Sequence, residues 1–306
     1  MTQRSRKSDP RESATRNGAT SAELEESGLG GFLRSLLAGI PWSESASEES
    51  LFSLPQPRGR AIAIHNPHGR TLVSGEERDD IEVKLLKHAR AESAGAAQAT
   101  LAAIRVNSSE NTSSLELEVE IPSRWNRYGS ANLELRVPRD LEVAVTAANG
   151  KVSLKGLRCC VHAHSSNGSV KISDVIGDLD ISTSNAKISC VSTRGQLVAR
   201  SSNGKIEIGG HSGSLDAATS NGLIRAKLDR VGDGGVVLTT SNGRIVLELP
   251  EDVDAEVDVR VDNGVIHNSL ALNGQTRMTT GRVRGRLGRG GIPIKLRTSN
   301  GMISLR

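Results

Sequence analysis

The chain has 306 residues, of which 36% are hydrophobic, 2% aromatic and 32 glycine, and its formal net charge is +4. So few aromatic rings argue against a wide globular core, which Phe, Tyr and Trp normally fill, and leave a thin core of Val, Ile, Leu and Ala. The charge is only mildly basic, and no run approaches the ~18 apolar residues of a membrane-spanning helix.

Residues 1–57 read as a disordered tail rich in Ser, Glu, Arg and Gly, with almost no β-branched residues. The opening MTQRSRKSDPRESATRNG has no apolar h-region, so a secretory signal is not expected. Together with three cysteines that make no disulfide framework, this places the chain in a reducing compartment, the cytoplasm. One island interrupts the tail, the segment 29–40. Leu29, Phe32, Leu33, Leu36, Leu37 and Ile40 fall on one face of a helix that Pro41 stops. Such a short helix needs a surface, either the protein's own body or a partner. Glu23, Glu25, Glu26, Glu44, Glu48 and Glu49 flank it and would be repelled by anionic lipid, which favours a protein groove.

Residues 58–138 form a small β-rich region. Ile62 and Ile64, Leu72, then Ile81, Val83 and Leu85 read as strands, as do 115–121 and 133–137. The Ala-rich stretch 91–104 is the one ordinary helix, suited to covering an open end of whatever follows.

Residues 139–306 repeat. Asn149-Gly150, Asn167-Gly168, Asn203-Gly204, Asn221-Gly222, Asn242-Gly243, Asn263-Gly264 and Asn300-Gly301 recur, with Asn185-Ala186 as a variant. The first four intervals between these asparagines are 18 residues, the next two 21 and the last 37. Three positions after every Asn stands Val or Ile, and two positions before most of them stands Ser or Thr. Within one repeat, Val170 and Ile172 alternate with polar residues, and so do Leu179 and Ile181. That is two short strands per repeat. The Asn-Gly pairs serve as structural corners that tolerate positive φ, and Gly177, Gly195 and Gly213 mark a second corner. A fixed period stacks equivalent residues in parallel, about 4.8 Å apart. The predicted fold is all-β: a parallel β-solenoid with two short strands per 18–21-residue repeat. An antiparallel meander ranks second, since it does not require one period for all columns.

SSNGSVKI, SSNGKIEI, TSNGLIRA, TTSNGRIVLELP and the closing GRGGIPIKLRTSNGMISL, with the opening GRAIAIHNPHGRTLVSG, resemble the bacterial DUF4097 proteins, a family of adhesin-like β-strand repeat proteins. The resemblance spans roughly 58–306. It implies a non-catalytic solenoid.

Three constellations invite chemistry. Arg277, Arg282, Arg284, Arg286 and Arg289 form an Arg-rich stretch with no Asp or Glu after residue 263, a candidate polyanion or partner surface or simply a solvated loop. Asp178 and Asp180 are paired carboxylates about 7 Å apart on one strand, as in some glycosidases, but the constant 18-residue period leaves no length for a cleft. His162, His164 and Asp180 share a face but are too few for an expected metal site, and no cofactor is expected. The chain therefore reads as a non-catalytic scaffold or binding module. A self-assembling filament and, further off, a polysaccharide-active enzyme are the alternatives. Met302 to Arg306 reads as a terminal strand with an open edge, through which weak homo-association is expected.

Overall fold

The computed structural model describes residues 44–122, 128–276 and 281–306. The predicted partner helix 29–40 and Arg277 lie outside them. In chain order the elements are β1 Glu44–Pro55, β2 Ala61–His68, β3 Thr71–Glu76, β4 Asp80–Ala91, α1 Ala94–Ala103, β5 Arg105–Glu110, β6 Leu115–Glu120 and β7 Gly129–Pro138. The repeats follow as β8 Glu142–Asn149, β9 Val152–Lys155, β10 Val161–Ser165, β11 Val170–Ile176, β12 Leu179–Thr183, β13 Ile188–Ser201 and β14 Ile206–Glu248. The last elements are β15 Ala255–Asn268, β16 Asn273–Thr276, β17 Arg282–Leu287 and β18 Ile292–Leu305.

The chain winds as the period predicts. Each turn lays one strand before its Asn corner and one after it, and equivalent strands pair in parallel. Before the corners run β2, β8, β10, β12 and the second half of β13, in the register Ile62↔Val143, Val161↔Val143, Val161↔Leu179 and Leu179↔Leu197. We call this the upstream wall. After the corners run β3, β9, β11 and the first half of β13, in the register Thr71↔Val152, Val170↔Val152 and Val170↔Ile188. This is the downstream wall. The parallel register excludes the meander.

Between the walls lies the aliphatic core. Val161, Leu179, Leu197 and Leu215 face Val170, Ile188, Ile206 and Ile224, all essentially without exposure. Period-2 alternation puts every second residue inside, so each turn adds the same few side chains, and the core stays narrow without aromatics. The inward Ser and Thr residues near the corners bond to the backbone. Ser165 Oγ accepts from the Gly168 amide at 3.0 Å, and Thr219 Oγ1 donates to the Gly204 carbonyl at 3.2 Å. These bonds satisfy backbone groups where the chain turns and the sheet ladder is interrupted.

Two expectations meet the structure at the N-terminal side. The tail does not run unbroken to residue 57, because Glu44–Pro55 is a strand antiparallel to β4. Phe52 opposite Val83 and Leu54 opposite Ile81 supply the alternation that holds it, a pattern only two apolar residues long and hidden among Ser and Glu. The Ala-rich helix is present, capped by Ser93 Oγ accepting from the Ala96 amide, with Ala97, Thr100 and Leu101 buried.

The ends of the solenoid are not where sequence order puts them. β2 and β3, the first turn, are flanked on their outer side by β6 and β7, which come later. β18, the last strand, lies between β14 and β15 and pairs in parallel with both: Ile245↔Ile303 on one side, Ile266↔Ile303 on the other. The expected open edge at Met302–Arg306 is therefore wrong. The edge of the downstream wall among the described residues is the second half of β15. The upstream wall ends in the antiparallel strands β17 and β16.

Candidate binding surfaces

The Asn corners carry a feature that corner chemistry alone does not predict. The asparagines do not take positive φ; among the described non-glycine residues only Arg60, Asp174 and Ser192 do. Instead their side chains form a ladder along the whole solenoid. Asn167 Nδ2 donates to Asn149 Oδ1 at 3.0 Å, and the pattern continues through Asn185, Asn203, Asn221 and Asn242 at 2.8 to 3.0 Å. Asn300 then donates to Asn242 and Asn263 to Asn300, repeating the spatial order of the strands. At the head, Asn149 Nδ2 stands 3.3 Å from His68 Nδ1, and burial lowers the His68 pKa. Stacked in-register amides of this kind are the interior logic of cross-β ladders, here on a corner. The sequence shows one Asn per period but not the bond from each to the next.

The glycines that follow are held by proximity as much as by φ. A Cβ on Gly168 would stand 1.6 Å from the Gly150 carbonyl oxygen, and one on Gly204 would stand 1.8 Å from that of Ala186. Neither lies in the left-handed region, which corrects the expectation of positive φ there; Gly150, at φ 147, does. The second corner is as expected, with φ of 150, 128 and 148 at Gly177, Gly195 and Gly213.

Beside the ladder, Ser184, Ser202, Ser220 and Ser241 line a groove of about 440 Å³ together with Ser182, Thr239, His164 and Arg200. Arg200 is held by Asp216, its Nη1 donating to Oδ1 at 2.9 Å. His164 Nδ1 lies 2.8 Å from Ser182 Oγ, and His162 lies 3.8 Å from Glu142. No group of three or more His, Cys, Asp or Glu among the described residues is arranged to hold a metal ion. Asp178 Oδ1 accepts from the Gln196 amide of the next turn at 3.0 Å, so this carboxylate is engaged in the scaffold.

The Arg-rich stretch is placed differently from its appearance in sequence. β17 runs antiparallel to β15, opposing Arg286 to Glu256, Arg284 to Asp258 and Arg282 to Arg260. Arg282 forks onto Asp258 at 3.0 and 2.7 Å, and Arg284 reaches the same carboxylate at 3.1 Å. Arg289 meets Asp254 at 3.0 Å, and Arg286 stands 4.0 Å from Glu256. Arg282, more than Arg284, holds the Asp258 carboxyl below its ordinary range, and the Arg289 amide and guanidinium do the same for Asp254. The run that lacks acidic residues along the chain is thus largely neutralised in space by the strand 24 to 35 positions upstream. Arg284 and Arg286 line a recess of about 610 Å³ together with Glu256, Asp258 and Lys295.

Bare positive charge lies on the other wall. Going along the outer face of the downstream wall, one meets Lys151 and Lys155, Lys171, Lys187, Lys205, Arg225 and Lys227, then Arg244; over the same turns the acidic residues are fewer, Asp174, Glu207, Asp229 and Glu248. Lys187 and Lys205 both pair with Glu207, which lowers its carboxyl to about 2. Lys151, Lys155, Lys171, Arg225, Lys227 and Arg244 make no ion pair among the described residues; in the sequence they look like scattered surface charges. On the upstream wall, by contrast, Glu116, Glu118, Glu142, Asp178, Asp180 and Asp216 face outward in the N-terminal half.

These features define a parallel β-solenoid with an asparagine-laddered corner and two electrically unlike walls. A profile described as Toastrack DUF4097 matches residues 60–306, and the chain belongs to that family. No curated protein matches the chain. Among the solved structures that are similar at low identity are the following three. A candidate adhesin from Bacteroides fragilis is 11% identical, covers 87% of this chain and 99% of its own, with a TM-score of 0.45. A candidate cell-adhesion protein from Clostridium sporogenes is 10% identical, covering 85% and 99%, at 0.27. A candidate lipid-binding protein from Parabacteroides distasonis is 8% identical, covering 85% and 97%, at 0.36.

Proposed function

We infer that the protein is a non-catalytic binding module, and that its working surface is the outer face of the downstream wall, which takes an acidic partner. The observation that carries this reading is a cation in each of six successive turns of one sheet, unpaired in four of them, those of Lys151, Lys171, Arg225 and Arg244. Fixed at about 4.8 Å per turn, from Lys151 to Arg244 they run across about 24 Å. A rigid row of like charges is self-repulsive, and an acidic partner relieves that repulsion while gaining the summed field. Of the paired carboxylates Asp178 and Asp180, Asp178 is bonded to the next turn, which supports a scaffold role for it. Three unpaired thiols support a reducing compartment, and within this reading we place the protein in the cytoplasm. No helix among the described residues is long and apolar enough to cross a membrane. Retention of the full chain on an immobilised acidic polymer such as heparin tests the reading. Retention should fall steeply with salt and be lost in Lys171→Glu/Arg225→Glu; passage of the unsubstituted protein at low salt would overturn it.

A second reading, self-association, is favoured by the open half of β15, where Val265 is 51% exposed. Light scattering of the full chain across a salt series tests it: a rise in mass with salt, as screening lets like-charged molecules approach, supports it.

A further inference from the structure

We propose that the downstream wall docks onto the surface of an anionic lipid bilayer. This rests on the reading of that wall as the working surface and names its partner. Three observations point to a lipid surface over other acidic partners. First, apolar side chains stand among the cations. The large hydrophobic side chains most exposed among the described residues are Leu51, Ile176, Val191 and Val265, at 68, 49, 43 and 51%. Val191 and Val265 project from the downstream wall itself, and Ile176 lies at its far margin. Leu51 belongs to the same surface, because the register runs unbroken from Leu51 to Lys84, Glu134, Leu72 and Ser153. Cations that reach phosphate, mixed with apolar groups that enter the headgroup layer, are what interfacial binding uses. Hydrophobic residues scattered singly on a surface are ordinary; here Val191 and Val265, with Ile176 at the margin, stand on the sheet that also bears the unpaired charge, while Leu51 lies beyond a strip in which Lys84 pairs with Glu49 and Arg136 with Glu76 and Glu82.

Second, the serine groove is at the Asn corner, the arginine recess is on the outer side of β15 and β17, and the recess that Lys227 and Glu248 share with Pro250, Glu251 and Arg306 lies at the margin of the downstream wall. From Lys151 through Lys205 that wall offers a broad sheet surface instead of a channel for a single polymer strand. Third, all five aromatic residues, Phe32, Trp42, Phe52, Trp125 and Tyr128, precede the repeats, so the wall has no rings on which nucleic-acid bases would stack. A bilayer asks for neither groove nor rings. It presents a plane of fixed negative charge, and each Lys or Arg brought to that plane contributes roughly 1 kcal/mol at most within about a Debye length.

Co-sedimentation of the full-length protein with vesicles tests the proposal. Phosphatidylcholine vesicles containing phosphatidylglycerol should pellet the protein, and phosphatidylcholine alone should not. Each cation removed should weaken partitioning roughly fivefold, so Lys171→Ala/Arg225→Ala/Arg244→Ala should bind about a hundredfold less. Arg286→Ala, on the upstream wall, should bind as before. Thermal melting of each variant shows whether it is folded, and a salt series on the unsubstituted protein gives a second measure that needs no variant. No binding to anionic vesicles, or binding that survives in the triple variant, overturns the proposal. Retention on heparin that tracks the triple variant without vesicle binding also overturns the lipid assignment, while leaving the acidic-partner reading in place.

Discussion

The two walls are made by the same turns of the same chain and share one core, yet they treat charge in opposite ways. On the upstream wall arginine meets carboxylate: Arg200 with Asp216, Arg282 and Arg284 with Asp258, Arg289 with Asp254. In the turns of the downstream wall from β9 on, Glu207 is paired with the two lysines beside it, while Lys151, Lys155, Lys171, Arg225, Lys227 and Arg244 make no ion pair among the described residues. The fold dictates the inward column and the corners and leaves outward positions open. A difference between walls at those open positions is therefore not a product of folding, and that directs attention to the downstream wall as the part facing a partner.

The comparison can be broken at the corner the walls share. Gly204→Val places a branched side chain against the Ala186 carbonyl and should cost about 3 kcal/mol, more than any outward substitution on either wall, read as a fall in urea midpoint. If a downstream-wall cation proved equally costly, inward and outward positions would have been misassigned. Next in size, Asp258→Asn removes the negative charge and one of the two acceptor oxygens that Arg282 and Arg284 share and should cost about 1 kcal/mol, measurable in the same titration.

The paired site around Glu207 on the downstream wall should be weaker. Lys187 and then Lys205 depress Glu207 to about 2, so its contribution is present above the ordinary glutamate value of 4.5 and is lost as pH falls through about 2. Its side chain is 26% exposed and the two lysines are more open. Solvent screening therefore keeps the gain below ~1 kcal/mol. Glu207→Gln should show that loss at pH 7 and none near pH 2. Smallest of all, Lys171→Ala and Arg225→Ala should each change stability by less than about 0.5 kcal/mol; a stabilisation in both would show the repulsion between neighbouring turns directly.

Much of this was legible in the sequence, for a physical reason: a stack of identical turns writes its period into the chain. Two strands per repeat, the inward Val/Ile/Leu columns and the glycine corners at 177, 195 and 213 follow from spacing alone. The function of Asn in the corner did not, because a residue that suits a turn and a residue that bonds to its copy one turn away look the same in one dimension. The arginines of β17 misled because their carboxylates lie on β15, reached only by an antiparallel return. β1 was missed because two apolar residues opposite Val83 and Ile81 are enough when the sheet beneath is already built. The order of the last turns was also out of reach, since Asn263-Gly264 and Asn300-Gly301 carry the same corner signal and nothing local says which sits outermost.

That order has a consequence for how the molecule is made. β15 leaves the ribosome before β18, yet the slot beside β14 belongs to β18. Until residues 292–305 exist, β15 is the nearest strand with a matching asparagine and a matching Ile, and it can dock on β14 one place too early. The resulting solenoid would be one turn short, with its own ladder complete and no local defect to expel the wrong occupant. Correct synthesis then depends on β15 waiting, or on leaving again when β18 arrives, and the antiparallel hold of β17 on β15 through Val259↔Val283 is the contact that can keep it aside. Slow steps in refolding should accordingly trace to this exchange of neighbours and not to the regular middle of the stack.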